Sequence, residues 1–169
     1  MPHIKLPDGA PGISGPLQAY PETAVHLQAL VQALLRGPSS LSSAERELLA
    51  ASVSSGNECV FCMRSHAAAA RHLDAVACDA PTPKLRALLA IAEKVRRSGR
   101  EVLAEDVIKA REAGADDRAI HDTVLIAAAF CMFNRYVDGL DTPVPQDEAV
   151  YDRMGLQLAK AGYGAIKPR

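Results

Sequence analysis

The most reactive side chains of the sequence lie in the stretch GNECVFCMRSH, residues 56–66. It contains Cys59 and Cys62 in a CxxC pattern, followed by His66 one helical turn later. Thiols and an imidazole at these spacings suit half of a zinc site, a redox-active pair, or small buried side chains that do no chemistry. The elements that carry the three residues help to decide between these interpretations.

On a helix, the three side chains share one face. At about 100° per residue, Cys59, Cys62 and His66 fall within about 60° of one another. His72 points away from that face, and no second CxxC or HxxxH pattern supplies a missing ligand. A four-ligand zinc site would therefore need distant help. Redox chemistry is favoured, and inert core thiols remain the alternative.

A dithiol in the first turn of a helix has properties that suit redox chemistry. Cysteines at i and i+3 approach closely enough to form a disulfide, and the helix dipole stabilises a thiolate at this end. Only the thiolate is a competent nucleophile, and a nearby imidazole also lowers the thiol pKa. The CxxC and His66 therefore form a possible nucleophile and base.

A carboxylate in the preceding helix adds a possible third member. Glu47 is flanked by Leu48 and Leu49, which are expected in the core. The short connection to the next helix predicts an antiparallel hairpin, in which Glu47 could face the Cys–His turn. There it would orient His66 and increase its basicity, as in catalytic triads. The alternative is a solvated glutamate on an exposed face.

Helical periodicity and capping signals predict an all-α domain of about seven helices, without strands or repeats. Residues 1–16 are rich in proline and glycine and predict an irregular N-terminal arm; residues 17–169 form a single helical domain. The CxxC is expected at the N-terminus of a central helix that begins after Asn57 as N-cap. The predicted helices span about residues 22–36, 42–55, 57–77, 82–99, 104–113, 116–140 and 147–161.

Composition excludes several classes of partner. Nineteen basic and twenty acidic residues leave a net charge of −1 without a basic run, so neither nucleic acid nor an anionic membrane is indicated. The longest apolar run, residues 124–133, is too short to span a bilayer, which predicts a soluble, cytoplasmic protein. The apolar side chains of this run cover the full circumference of the helix, which indicates a core helix or one packed partly against another subunit. The sequence contains no GxGxxG fingerprint, so no nucleotide cofactor is expected, and no metal is expected either.

The remaining candidate residues favour structural roles. Cys78 and Cys131 are expected to pack as small hydrophobic side chains, and His3, His26 and His121 are scattered on different segments. The Asn134-Arg135 pair follows the apolar run and is interpreted as a buried polar anchor or an oligomer contact.

The combined pattern ERELLAASVSSGNECVFCMRSH resembles the signature of the AhpD-like alkylhydroperoxidases within the carboxymuconolactone decarboxylase family. The segments GPSSLSSAERELLAASVS and FNRYVDGL are similar to the peroxidase-related branch of that family. The best-known AhpD enzymes have a histidine of the relay where this chain has Phe61.

The resemblance implies an all-α fold and thiol peroxidase chemistry. By motif position, Cys62 would attack the peroxide and become a sulfenic acid, and Cys59 would serve as proton donor and resolving thiol. Glu47 and His66 would form the proton relay. An external dithiol, which in the family can be a lipoylated protein, would reduce the disulfide, and a peroxiredoxin is a further possible partner. A homo-oligomer, as dimer, trimer or hexamer, is also implied.

Two other functions stay open at this stage. The namesake branch of the family acts on a lactone by a non-redox reaction, but those relatives lack the CxxC. A redox-responsive binding protein would instead use oxidation of Cys59 and Cys62 to change its assembly, without turnover of peroxide.

Overall fold

Helices account for the regular structure in residues 1–164, the part of the chain that the computed structural model describes. Within that range there are nine α-helices, seven of which have at least 9 residues, and no strand. This confirms the prediction of an all-α fold with about seven helices. The helices are α1 Ser14–Ala19, α2 Pro21–Arg36, α3 Ser43–Gly56, α4 Val60–Leu73, α5 Ala75–Asp79, α6 Pro83–Arg97, α7 Ala104–Glu112, α8 Asp117–Gly139 and α9 Glu148–Ala161, with a 3-10 turn at Gly99–Glu101.

Local capping signals account for two of the helix starts. Ser42 precedes α3 and accepts a hydrogen bond from the Glu45 backbone N–H, while the Glu45 carboxylate accepts one from the Ser42 N–H. This is the predicted capping box. Thr82 caps α6 in the same manner through the N–H of Leu85, and Pro83 occupies the first helical position, where its missing N–H costs nothing.

The connection between α3 and α4 differs from the prediction. Asn57 is not the N-cap of the cysteine helix. Its N–H bonds to the Val53 carbonyl, so α3 continues to Gly56 and Asn57 is its C-cap. Glu58 then turns the chain with φ of 61°, and Cys59 becomes the residue that precedes α4. The prediction of the CxxC at the N-terminus of a helix is confirmed, with the start displaced by two residues.

The end of the cysteine helix also differs from the prediction. Helix α4 ends at Leu73, whereas the sequence predicted a continuation to about Ala77. Asp74 leaves the helical conformation, and its side chain accepts a hydrogen bond from the Ala77 N–H, which starts the short helix α5 instead. An aspartate favours this exchange because its side chain competes for backbone donors.

Helix α8 runs through the main core, and its two sides have different surroundings. Ile126, Phe130 and Phe133 are buried against α3 and α6 in the main hydrophobic cluster. Leu125 and Met132, which belong to the same apolar run, remain 39% and 43% exposed. The run is therefore both a core element and part of an apolar surface, which accounts for its apolar character around the full helix.

The N-terminal segment lies along the loop between α8 and α9. The N–H of His3 bonds to the Leu140 carbonyl at 3.0 Å and that of Gly12 to the Pro143 carbonyl at 2.9 Å. Helix α1 begins at Ser14, within the predicted arm of residues 1–16, so the final turn of the arm is helical. The division at residue 17 stays a prediction.

Among residues 1–164, no helix is long and apolar enough to cross a membrane. The cytoplasmic location stays a prediction.

Helices α4 and α9 approach so closely that a glycine is required between them. A Cβ placed on Gly155 would come within 2.6 Å of the Ala68 Cβ and backbone carbon. We expect Gly155→Ala to destabilise the protein by about 1–3 kcal/mol, because overpacking exceeds the small gain in helix propensity. Urea denaturation measures this change.

Gly139→Ala is the matched control for that substitution. Gly139 also lies in a helix, but a Cβ there meets nothing within 4 Å. The control is expected to be neutral or slightly stabilising. Equal stability of Gly155→Ala and wild type would contradict the close approach of the two helices.

Candidate dithiol site

The two cysteines lie at the start of α4, away from bulk solvent. Cys59 occupies the N-cap position and is completely buried, and Cys62 in the first turn is 3% exposed. Both are free thiols. The backbone carbonyl of Cys59 accepts the N–H of Met63, which closes the first turn of the helix around the pair. The predicted dithiol is therefore held in a defined position.

The surroundings make the two thiols unequal. The hydrogen bond between the side chains raises the pKa of Cys59, and burial raises it further. The same hydrogen bond lowers the pKa of Cys62; burial opposes this, while the charge of His66 and a hydrogen bond to Asn134 assist it. Cys62 is therefore the member of the pair that ionises to a thiolate more readily.

Glu47 is completely buried, which excludes the solvated, exposed glutamate considered from the sequence. Its Oε2 lies 2.6 Å from Nδ1 of His66, so the hairpin of α3 and α4 brings together the two predicted relay residues. A carboxylate only accepts hydrogen bonds, so Nδ1 carries the proton.

Two residues that the sequence did not suggest complete the environment of Glu47. Its Oε1 accepts hydrogen bonds from Arg36 Nη2 and from the Tyr163 hydroxyl, each at 2.6 Å. Burial raises the pKa of Glu47, but His66 and then Arg36 and Tyr163 together outweigh it, and the net pKa is lowered. The carboxylate therefore stays ionised at neutral pH.

Neither of these residues had a recognisable motif. Arg36 is the last residue of α2, and Tyr163 follows the last helix in the segment AGYGA. Only the position of Arg36 at a helix C-terminus was a possible signal, because cations favour that end. That signal says nothing about which carboxylate the cation meets.

The His66 ring is held between two aromatic side chains. Phe130 meets it edge-on with ring centroids 4.6 Å apart, and Tyr163 lies nearly parallel at 5.9 Å and 17°. Aromatic contacts of this kind restrict ring rotation as well as burying apolar surface. The imidazole therefore keeps the orientation that its bond to Glu47 requires.

An amide network ties the dithiol turn to α8. Asn134 Nδ2 donates to the Ser54 hydroxyl at 3.0 Å, and its Oδ1 accepts from Asn57 Nδ2 at 2.9 Å. Asn134 also stabilises the Cys62 thiolate by a hydrogen bond. The interpretation of Asn134 as a buried polar anchor is supported, and the anchor lies beside the reactive thiol.

A small apolar cavity opens beside Cys62 and His66. Its volume is about 80 Å³, and Cys62, Ser65, His66 and Tyr163 form its polar wall. Ser14 and Gln28 also line the cavity, and the remaining wall is apolar, with contributions from α1, α2, α8 and α9 that include Leu17, Leu27, Val31, Phe133 and Met154. A site of this composition favours the apolar part of a small organic molecule over a highly charged one.

Phe61 forms part of the wall and carries no polar group to the thiols. It is 3% exposed and packs against the ring of Tyr151 with centroids 6.1 Å apart. Its ring also fills the space where a side chain at Gly12 would lie, since a Cβ there would come within 2.1 Å of the ring. The position that is histidine in the best-known AhpD enzymes is therefore a packing residue here.

The other cysteines lie outside this arrangement. Cys131 is buried, with its sulfur 3.6 Å from Asn57 Nδ2 and 3.8 Å from the Arg96 carbonyl oxygen, and Cys78 is partly exposed at the end of α5. Within residues 1–164, no three His, Cys, Asp or Glu side chains are grouped so that they could hold a metal ion.

Fold and site together define an all-helical protein with a paired-thiol centre at a helix N-terminus. The sequence model of the carboxymuconolactone decarboxylase family matches residues 21–77, which include Glu47, the CxxC and His66. The chain belongs to this family, in its AhpD-like, peroxidase-related branch. A comparison with curated protein sequences gave no significant match.

Two solved structures share the fold over most of the chain. A peroxidase-related protein from Silicibacter sp. TM1040 is 31% identical with a TM-score of 0.72, covering 82% of this chain and 78% of that one. A peroxidase-related protein from Ralstonia eutropha JMP134, described as an alkylhydroperoxidase AhpD core, is 27% identical with a TM-score of 0.74, covering 86% of this chain and 81% of that one.

The unequal thiols predict a selective alkylation. Near pH 7, we expect iodoacetamide to modify Cys62 at least about tenfold faster than Cys59, because each unit of pKa difference is tenfold in thiolate population below both values. Cys62 should also react before Cys78, whose pKa is raised by burial although its thiol is more exposed. Peptide mass spectrometry over time measures all three rates. Faster labelling of Cys78 or Cys59 would contradict the assignment.

Proposed function

We propose that the protein is a thiol-dependent peroxidase that reduces an organic hydroperoxide to the alcohol. One observation carries the proposal: Cys62, whose pKa is lowered, and His66 line the same apolar cavity, and the second thiol lies one turn away. The peroxidase-related names of the two similar structures support it. The proposed residues are Cys62 and Cys59 as thiols, with His66 and Glu47 as the relay.

In the proposed first step, the Cys62 thiolate attacks one oxygen of the peroxide bond. The O–O bond breaks, the alkoxide leaves and takes up a proton to become the alcohol, and Cys62 becomes a sulfenic acid. His66 accepts the Cys62 proton through Nε2 and returns a proton to the leaving oxygen. The ionised Glu47 stabilises the imidazolium that forms between these events, as the carboxylate does in a catalytic triad.

In the second step, Cys59 attacks the sulfenic sulfur, a disulfide forms and water leaves. The raised pKa of Cys59 suits this order, because a protonated thiol does not compete with Cys62 for the peroxide. An external dithiol then restores both thiols by exchange and is itself oxidised to a disulfide. A lipoyl group fits this role, and the proposal includes such a donor and, as a further partner, a peroxiredoxin.

The proposed reaction predicts a specific pattern of variants. With an organic hydroperoxide and dihydrolipoamide as donor, Cys62→Ser, which removes the proposed nucleophile, and Glu47→Gln, which removes the relay carboxylate, should each lower peroxide consumption by more than about tenfold. General acid–base catalysis alone typically contributes about 10²–10⁴-fold. Cys78→Ser is the matched control and should keep the wild-type rate, because that thiol is on α5. Peroxide loss is followed by a dye assay, and the rate of the uncatalysed reaction is subtracted from each measured rate.

Two further measurements distinguish the alternative functions. Oxidation of Cys59 and Cys62 without sustained turnover under any dithiol would support a redox-responsive protein instead. Activity on a lactone that survives when both cysteines are changed to serine would support the non-redox reaction of the family's namesakes.

We also propose that the protein is a homo-oligomer. Side chains of α2 and α8 surround a shallow apolar depression that includes His26, Met132 and Tyr136, and the nearby Leu125 is exposed as well. An exposed apolar surface of this kind is typical of contacts between proteins.

The assembly is tested at Met132, which is 43% exposed. Met132→Glu should lower the molar mass measured by light scattering, because it places a charge in the proposed contact. Val76→Glu, at a 77% exposed position on α5, is the control and should leave the mass unchanged. A monomeric wild type would contradict the proposal.

A further inference from the structure

Tyr163 enters the site from a segment that is remote in sequence. Helix α9 ends at Ala161, and Gly162 turns the chain with φ of 64°, a conformation that favours glycine. The backbone N–H of Tyr163 then donates to Gln32 Oε1 at 2.7 Å, which fixes the turn on α2. The ring consequently points inward, and Tyr163 is only 6% exposed.

The Tyr163 side chain contacts both members of the proposed relay. Its hydroxyl donates to Glu47 Oε1 at 2.6 Å and lies 3.1 Å from His66 Nδ1. Its ring stacks on the imidazole and also lies under the Arg36 guanidinium, 5.2 Å from the ring centroid. Burial and the charge of Glu47 raise the pKa of Tyr163 well above its usual value, so the hydroxyl remains a donor.

We infer that Tyr163 is a positioning residue of the dithiol site: its ring holds His66 with Nδ1 towards Glu47, and its hydroxyl, which shares Oε1 with Arg36, moderates the pull of that carboxylate on the Nδ1 proton. The inference rests on the proposed role of Cys62 as the reacting thiol. It adds a residue that acts through Glu47 and His66 without touching the thiols.

The hydroxyl also limits how strongly Glu47 acts on the imidazole. Oε1 is shared by Arg36 and Tyr163, and Oε2 is bonded to His66. A carboxylate that loses one donor attracts the Nδ1 proton more strongly, which increases electron density at Nε2 and favours transfer of the Cys62 proton to it. Tyr163→Phe should therefore increase the thiolate population of Cys62 at a given pH.

The other charged and polar groups that face Cys62 do not change in this variant. They are Cys59 before α4, and Asn134 and Asp138 on α8. Arg36 remains the second partner of Glu47 on α2. A shift in the reactivity of Cys62 would therefore report on the path from Tyr163 through Glu47 and His66.

The test compares the rate of Cys62 alkylation by iodoacetamide between pH 5 and pH 9 in wild type, Tyr163→Phe and Tyr20→Phe. We expect the apparent pKa of Cys62 to fall in Tyr163→Phe by about half a unit, so that alkylation on the acidic side is about threefold faster while the rate at high pH is unchanged. Tyr20→Phe makes the same chemical change at a 40% exposed position before α2 and should reproduce the wild-type profile.

An unchanged profile in Tyr163→Phe, or one moved to higher pH, would overturn the inference. A purely structural tyrosine would change thermal stability without moving the profile. The tautomer is tested independently on the folded wild type by nitrogen-15 NMR of the imidazole near pH 7. We expect His66 to be protonated on Nδ1, and protonation on Nε2 alone would also overturn the inference. Neither measurement uses peroxide, so a negative peroxidase assay leaves both results interpretable.

Discussion

The buried carboxylate of Glu47 is the constraint on which the site depends. An ion without solvent is tolerated inside a protein only if its partners are close and well oriented, since the desolvation cost is several kcal/mol or more. Glu47 meets this requirement with an arginine, an imidazole and a phenol on its two oxygens. These donors come from α2, α4 and the segment after α9, so satisfying one charge brings four parts of the chain together.

The turn between α3 and α4 positions the two cysteines relative to this buried carboxylate. Glu58 adopts a left-handed conformation that costs a non-glycine residue of order 1 kcal/mol, and such strain persists where surrounding contacts determine the backbone. Here Cys59 N–H bonds to the Ser54 carbonyl, and the amide of Asn57 bonds to Asn134. The turn places Cys59 just before the first residue of α4, and Cys62 within the first turn of that helix. The two thiols thereby meet different surroundings, although their sequence environments look alike.

Phe61 shows how packing and chemistry are separated at this site. It occupies the middle of the CxxC, yet its ring faces Gly12 and Tyr151 and extends the apolar wall. Polar functions are concentrated on the side of His66, where Glu47, Arg36 and Tyr163 lie. Hydrogen-bonded groups on one side of Cys62 and apolar surface on the other suit the proposed exclusion of water from the thiol and the proposed route for its proton.

The amino-acid sequence by itself determined the seven longer helices, though not the bounds of α4, and the shared face of Cys62 and His66. It also determined the hairpin that carries Glu47. These features depend on contacts between residues close in sequence: helical periodicity, a capping box at Ser42, and i to i+4 neighbours on α4. Only the tertiary structure decided that Glu47 is buried and that Arg36 and Tyr163 both donate hydrogen bonds to its carboxylate. Tyr163 and Glu47 are 116 residues apart, and such a contact leaves no local pattern, because it follows from how α2, α3 and α9 pack. The start of α4 was also decided by the tertiary structure. Asparagine is favourable both as the C-cap of one helix and as the N-cap of the next, and packing makes Asn57 the C-cap of α3.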